Sequence, residues 1–159
     1  MTGPGADGLS VTVVTSRVEL EECWRIRFAV FVDEQDVPAE MEVDDLDTAV
    51  TTTHVLATVA GSAVATARLL PVEPGVVRIG RVAVAREARG TGAGRAVMEA
   101  LHDVALATHA GPDGGVRVDI EAQEHAIPFY SRLGYALVDD RRYLDAGIWH
   151  RDMALDLPR

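Results

Sequence analysis

Residues 89–94 read Arg-Gly-Thr-Gly-Ala-Gly, three glycines and one arginine set between a valine-rich run and a stretch with helical spacing. A strand that enters a glycine turn and then a helix makes an anion site. Unpaired N–H groups at the helix N-terminus converge on bound oxygens, the helix dipole favours negative charge, and glycine lets the backbone approach closely. Arg89, Gly90, Thr91, Gly92, Ala93, Gly94 and Arg95 would form that cradle. Two nucleotide motifs fail at this loop. A P-loop needs Gly-Lys-Ser/Thr, whereas Gly94 is followed by Arg95 and Ala96. A dinucleotide fingerprint, G-x-G-x-x-G, meets Arg95 or Val97 where its third glycine belongs, counted from Gly90 or Gly92. Elsewhere, Cys23 is the single cysteine and reads as a small buried hydrophobe in a helix. Histidines 54, 102, 109, 125 and 150 lack close ligand spacing, so no metal site is expected.

The elements that must hold this loop follow from periodicity. Residues 11–16 are a β-rich run, and Ser16 with Glu19 three positions on is a capping-box signal for a helix over 17–32. Leu20, Trp24, Phe28 and Phe31 would line its apolar face, with Cys23 beside it. Residues 33–47 hold eight acids, no base and little periodicity, and read as a long loop. Strands are expected over 51–59 and 62–72, joined in a hairpin at Ala60-Gly61, and over 76–84. A helix over 93–108 follows the loop, with Val97, Leu101 and Val104 on one side. A strand over 116–122 comes next, then a short helix within 124–134 whose first turn Pro128 should disturb, then two closing strands. The expectation is one mixed α/β domain over residues 9–159, after a floppy tail over 1–8.

Charge narrows the partners. A formal net charge of −10 argues against a nucleic-acid surface, which needs a continuous basic footprint. Yet residues 78–95 carry five arginines against the single acid Glu87, an anion-friendly zone around the glycine loop. There is no apolar run of membrane-spanning length and no signal-peptide pattern at the start, so a soluble cytoplasmic protein is expected. All fifteen basic residues are arginine; lysine is absent.

The pattern that does fit the loop is (Gln/Arg)-x-x-Gly-x-(Gly/Ala), met by Arg89, Gly92 and Gly94. Here the chain resembles the GNAT superfamily of N-acetyltransferases, whose loop of this form wraps the pyrophosphate of coenzyme A. Residues 123–135 are similar to a second family segment, with Gln123 where Asn is more usual, and with Ala126, Tyr130, Gly134 and Tyr135 matching. Residues 25–47 and the late Gly-Ile-Trp-His at 147–150 resemble the ElaA-like branch in particular. The resemblance implies a mostly antiparallel sheet of six to seven strands, flanked by helices and splayed where acetyl-CoA binds. It also implies that Val82, Ala83 and Val84 offer backbone groups to the thioester and pantetheine, that Gln123 and Tyr130 adjoin the cofactor, and that Tyr130 is the general acid.

With acetyl-CoA as donor, an amine must be deprotonated, an oxyanion stabilised and a thiolate protonated. Candidates for the base are Glu121 and His150, with His54 and the acids of 33–47 also considered, and a base relayed by ordered water, or no dedicated base, as the alternative. Glu34, Gln35, Glu42 and Asp44 would line the acceptor mouth, the acids drawing in a cationic amine of a small molecule or protein. The rival view of that acidic run is a solvated face. An acyl-CoA sensor without catalysis is the alternative function, and the terminal strands could pair across a homodimer.

Overall fold

In the computed structural model, residues 8–159 are described; the expected tail falls at residues 1–7, outside the described residues, apart from Gly8, which precedes the first strand. Strand β1 (Leu9–Val13) leads into α1 (Arg17–Arg27). The cap forms as read. Ser16 Oγ accepts the Glu19 N–H at 3.2 Å, and the Glu19 carboxylate accepts the N–H of Thr15 at 2.9 Å, one residue further out than an ordinary capping box. The helical path does not stop at 32: it widens into a π-helical segment, Phe28–Glu34. Nor is 33–47 a plain loop, because it contains α2 (Ala39–Glu42) and the start of a 3₁₀ turn, Asp45–Thr48.

Strands β2 (Thr53–Val59) and β3 (Ser62–Glu73) form the expected hairpin, with Ala60 and Gly61 both at positive φ, as a tight primed turn demands. Then follow β4 (Val76–Val84), α3 (Ala93–Thr108), β5 (Val116–Gln123) and α4 (Ile127–Arg132). Pro128 leaves α4 undisturbed, since in the first turn its missing N–H has no helical partner to lose. The chain closes with β6 (Ala136–Leu137), β7 (Tyr143–Asp145) and β8 (Ile148–Leu157), three strands rather than two. Ala146 and Gly147, again both at positive φ, supply the extra hairpin.

The sheet therefore has eight strands, in the order β1-β2-β3-β4-β5-β8-β6, with β7 also on β8. It is antiparallel except where β4 meets β5. On one face α3 buries Val97, Met98, Leu101 and Ala105 against Val55, Ala67, Leu69 and Val77. On the other, α1 and the π-helical segment bury Leu20, Cys23, Ile26 and Val30 over Leu56 and Ala83. The buried stripe of α1 is thus shifted from the expected one, with Trp24, Phe28 and Phe31 only partly covered. Full burial of each such side chain contributes about 1.5–3 kcal/mol. No helix among the described residues is long and apolar enough to cross a membrane.

One irregularity positions everything that follows. β4 and β5 pair only at Val76–Arg78 with Arg117–Asp119, and from Ile79 onward β4 has no β5 partner. The sheet is open there.

Candidate active site

The glycine loop lies at the C-terminal end of β4, where the opening is widest. Gly90 and Gly92 take φ of 80° and 89°, a region costly for residues with a Cβ, and Gly92 caps α3. The helix starts with Ala93 and Gly94 buried, so these residues can offer only backbone N–H groups. A Cβ at Gly94 would stand 3.3 Å from the Phe129 ring and from Val84, which is why the smallest residue occupies this floor. Thr91 spends its hydroxyl inside the turn, donating to the Ala88 carbonyl. Beside the loop runs a groove of about 440 Å³ lined by Val84, Arg89, Gly92, Arg95, Phe129 and Arg132, among others. Helix N-terminal N–H groups, glycines free to take positive φ and three arginines make an anion-binding surface, and the apolar ring of Phe129 adjoins it.

Before it reaches the loop, β4 bulges. Thr66 pairs with Ala83 and Arg68 with Gly80, so Arg81 and Val82 together face Ala67, with Arg81 at φ 52°. The acidic stretch holds this bulge from behind. Arg81 reaches Glu42 and Asp44 at 3.4 Å each. Arg27, itself 1% exposed, binds Glu42 at 2.8 Å and Asp47 at 2.7 Å, and Arg68 binds Asp44 at 2.7 Å and Asp47 at 2.9 Å. The Trp24 indole also donates to Asp47, and His54 Nε2 to the Asp47 carbonyl. Burial pushes the Asp47 carboxyl up, but Arg27 and Arg68 outweigh it and bring the pKa to about 2. For Glu42 burial wins and the pKa rises. Both readings of the acidic stretch need correction at these residues. Glu42 is buried in an ion-pair network rather than lining a mouth, and Asp44 is engaged by Arg68 and Arg81. His54 belongs to the same network and is kept below its ordinary pKa by burial.

Glu34 ends the π-helical segment and Gln35 caps it. Glu34 binds Arg89 at 2.7 Å and lies 3.6 Å from Arg86, and the hydrogen bond from Arg89 holds its carboxyl below the usual range. Gln35 and Gln123 exchange two amide hydrogen bonds, at 3.2 and 2.7 Å. Arg95 is tied back to Glu99 at 2.7 Å.

Tyr130 is buried between the edges of Phe129 and Tyr135, and its hydroxyl makes no hydrogen bond among the described residues. Burial pushes its pKa up, so the phenol keeps its proton. Across the opening, β5 and β8 bring Gln123 opposite His150 and Glu121 opposite Asp152. His150 is buried, stacks on Tyr143, and holds a 2.7 Å contact between Nδ1 and the Ile148 carbonyl. A carbonyl only accepts, so Nδ1 carries the hydrogen of that contact. The single Tyr143 hydroxyl hydrogen faces two carboxylates, Asp152 at 2.6 Å and Glu121 at 3.1 Å, and is shared towards the nearer. Burial and these carboxylates raise the Tyr143 pKa.

Several of these residues escaped the reading of the sequence. Arg132 ends the helix that bears Tyr130, and Phe129 precedes Tyr130 directly; their only signal was adjacency. Arg27 lies four positions after Cys23 and seven after Leu20, a charge on the apolar stripe. Opposite an acidic run without bases, that placement was the available clue to a buried ion pair. Among the described residues, no group of three or more metal-ligating side chains converges.

Residues 17–157 match the acetyltransferase (GNAT) domain family. The uncharacterized N-acetyltransferase YjcF of Bacillus subtilis is 32% identical over 149 residues, 93% of this chain and 100% of that protein. Among solved structures, an acyl-CoA N-acyltransferase from Pseudomonas aeruginosa superposes with a TM-score of 0.78 at 34% identity, covering 92% of this chain and 98% of the other. Escherichia coli ElaA gives a TM-score of 0.79 at 29% identity, with 92% and 98% covered.

Proposed function

This chain belongs to the GNAT acetyltransferase domain family and is an acyltransferase, and from that premise we propose that it transfers an acetyl group from acetyl-CoA directly to a primary amine. The carrying observation is the coincidence of an open β4/β5 junction with a glycine-capped helix at its wide end. Arg89, Arg95, Arg132 and the N–H groups of residues 90–94 hold the phosphates; Val82, Ala83 and Val84 lie along the pantetheine. Backbone N–H groups of the bulged strand stabilise the oxyanion that develops as the amine attacks the thioester.

Tyr130 is the proton donor to the leaving sulfur as the C–S bond breaks, and the second proton shed by the nitrogen as the amide forms restores the phenol. Its protonated and unpaired hydroxyl supports that role, because an O–H already engaged elsewhere would have to be released first. His150 is the base that relieves the incoming ammonium of its proton, with Nδ1 fixed by the Ile148 carbonyl so that Nε2 can accept. Glu121, already sharing Tyr143 with Asp152, orients the polar wall on which the amine docks.

The test is release of free CoA from acetyl-CoA in the presence of a panel of polyamines, amino sugars, amino acids and peptides. Since the chain has no lysine, self-acetylation on lysine side chains adds no background. Amine-dependent release is expected. Slow hydrolysis indifferent to every amine would instead favour a CoA-binding sensor.

A further inference from the structure

Beyond Arg78 and Asp119 no backbone ladder joins β4 to β5, yet their far ends are connected through side chains. The carbonyl of Val84, last residue of β4, accepts Arg89 Nε–H at 3.2 Å. Arg89 Nη2 donates to Glu34 at 2.7 Å. Gln35, the next residue, exchanges two hydrogen bonds with Gln123, the last residue of β5. The bridge is continuous: Val84, Arg89, Glu34, Gln35, Gln123. It crosses the opening at its wide end. Ala122 is buried towards α3, so Gln123 stands on the opposite face, the one reached by the end of the π-helical segment.

We propose that the Gln35–Gln123 pair is a bar across the β4/β5 opening that limits the size of the acyl group the protein accepts. The inference rests on reading the loop as the acyl-CoA site, since phosphates held at residues 89–95 direct the acyl end into this opening. Each amide satisfies a donor and an acceptor of the other. A longer alkyl chain would have to break the pair and leave polar groups facing methylenes, whereas an acetyl group stops short of it. Neither glutamine enters the chemistry on this view; together they determine specificity.

Binding can be measured by calorimetry for acetyl-CoA, butyryl-CoA and free CoA, on the wild-type chain and on Gln35→Ala, Gln123→Ala and Gln35→Glu. The readout is the ratio of butyryl-CoA to acetyl-CoA affinity, which cancels any general loosening. The wild type is expected to prefer acetyl-CoA, and both alanine variants to shift the ratio towards butyryl-CoA by about tenfold. Gln35→Glu keeps an acceptor for the Gln123 amide and should keep the wild-type ratio. Acetyl-CoA binding with an unmoved ratio in both alanine variants would overturn the bar alone. Failure of the wild type to bind either acyl-CoA or free CoA would overturn the donor reading, and the bar with it.

Discussion

Glu34 and Arg89 stand 55 positions apart in the chain, and their charged ends meet at 2.7 Å. Arg89 is the arginine of the glycine-loop pattern, so the residue best suited to a pyrophosphate already has a carboxylate partner. A polyanion entering the groove competes with Glu34 for that guanidinium. Glu34→Gln removes the competitor and one negative charge from the rim. Affinity for CoA is expected to rise about two- to fivefold, the scale of an exposed ion pair. The gain should shrink at high salt, because the pair is accessible to screening. Calorimetry at low and high ionic strength measures it. Weaker binding in the variant would mean that Glu34 aims Arg89 rather than occupying it.

Tyr130→Phe separates chemistry from folding. The hydroxyl makes no hydrogen bond among the described residues, so its loss leaves no orphaned partner, and the ring still packs between Phe129 and Tyr135. Thermal stability should stay close to wild type. Turnover of acetyl-CoA with a good amine should fall about 100-fold, within the range of general-acid contributions, while the affinity for acetyl-CoA changes little. Equal turnover in the two proteins would remove Tyr130 from the mechanism.

Asp47 is the hub of the buried network, bound by Arg27, Arg68 and the Trp24 indole. Truncation to Ala takes one of two carboxylate partners from each of two largely buried guanidiniums, leaving Arg27 only Glu42 and Arg68 only Asp44. Breaking a buried pair by removing one partner costs about 3–5 kcal/mol. Unfolding in urea should register that loss with an unchanged m-value. A change below about 1 kcal/mol would show the pairs to be solvated. Below the ordinary carboxylate range the same network fails in the wild type, since folded Asp47 keeps its proton off down to a pKa of about 2.

What the sequence disclosed depended on range. Local signals were legible: Ser16 with Glu19 marked the start of α1, Ala60-Gly61 a hairpin, and the glycine loop the approach to α3. The Ala146-Gly147 hairpin carried the same dipeptide and went unread, because the strand before it is only three residues long. The acidic run misled for a different reason. Charge counts give no partner, and the arginines that bury Glu42 and Asp47 come from α1 and β3, brought together only by the fold. The site divides likewise. The phosphate loop is contiguous and could be read as a string, whereas the bridge joins residues 34, 35, 89 and 123 and exists only in three dimensions.

His102 provides a stability test by pH. It is buried on α3 with Nε2 2.7 Å from the Tyr135 hydroxyl, and burial lowers its pKa to about 4. In the unfolded chain a histidine titrates near 6.5. Between those values the unfolded state binds a proton that the folded state refuses, so stability falls as pH drops from about 6.5 to 4 and changes no further from this group below 4. The separation corresponds to about 3 kcal/mol at most. His54, also lowered by burial, loses stability in the same direction and sharpens the decline. His102→Gln retains a hydrogen-bonding group for Tyr135 and cannot titrate. Urea denaturation from pH 7.5 to 4 should therefore show a shallower decline for the variant than for the wild type. Parallel curves would place a proton on His102 in the native protein, and with it a wetter contact between α3 and Tyr135.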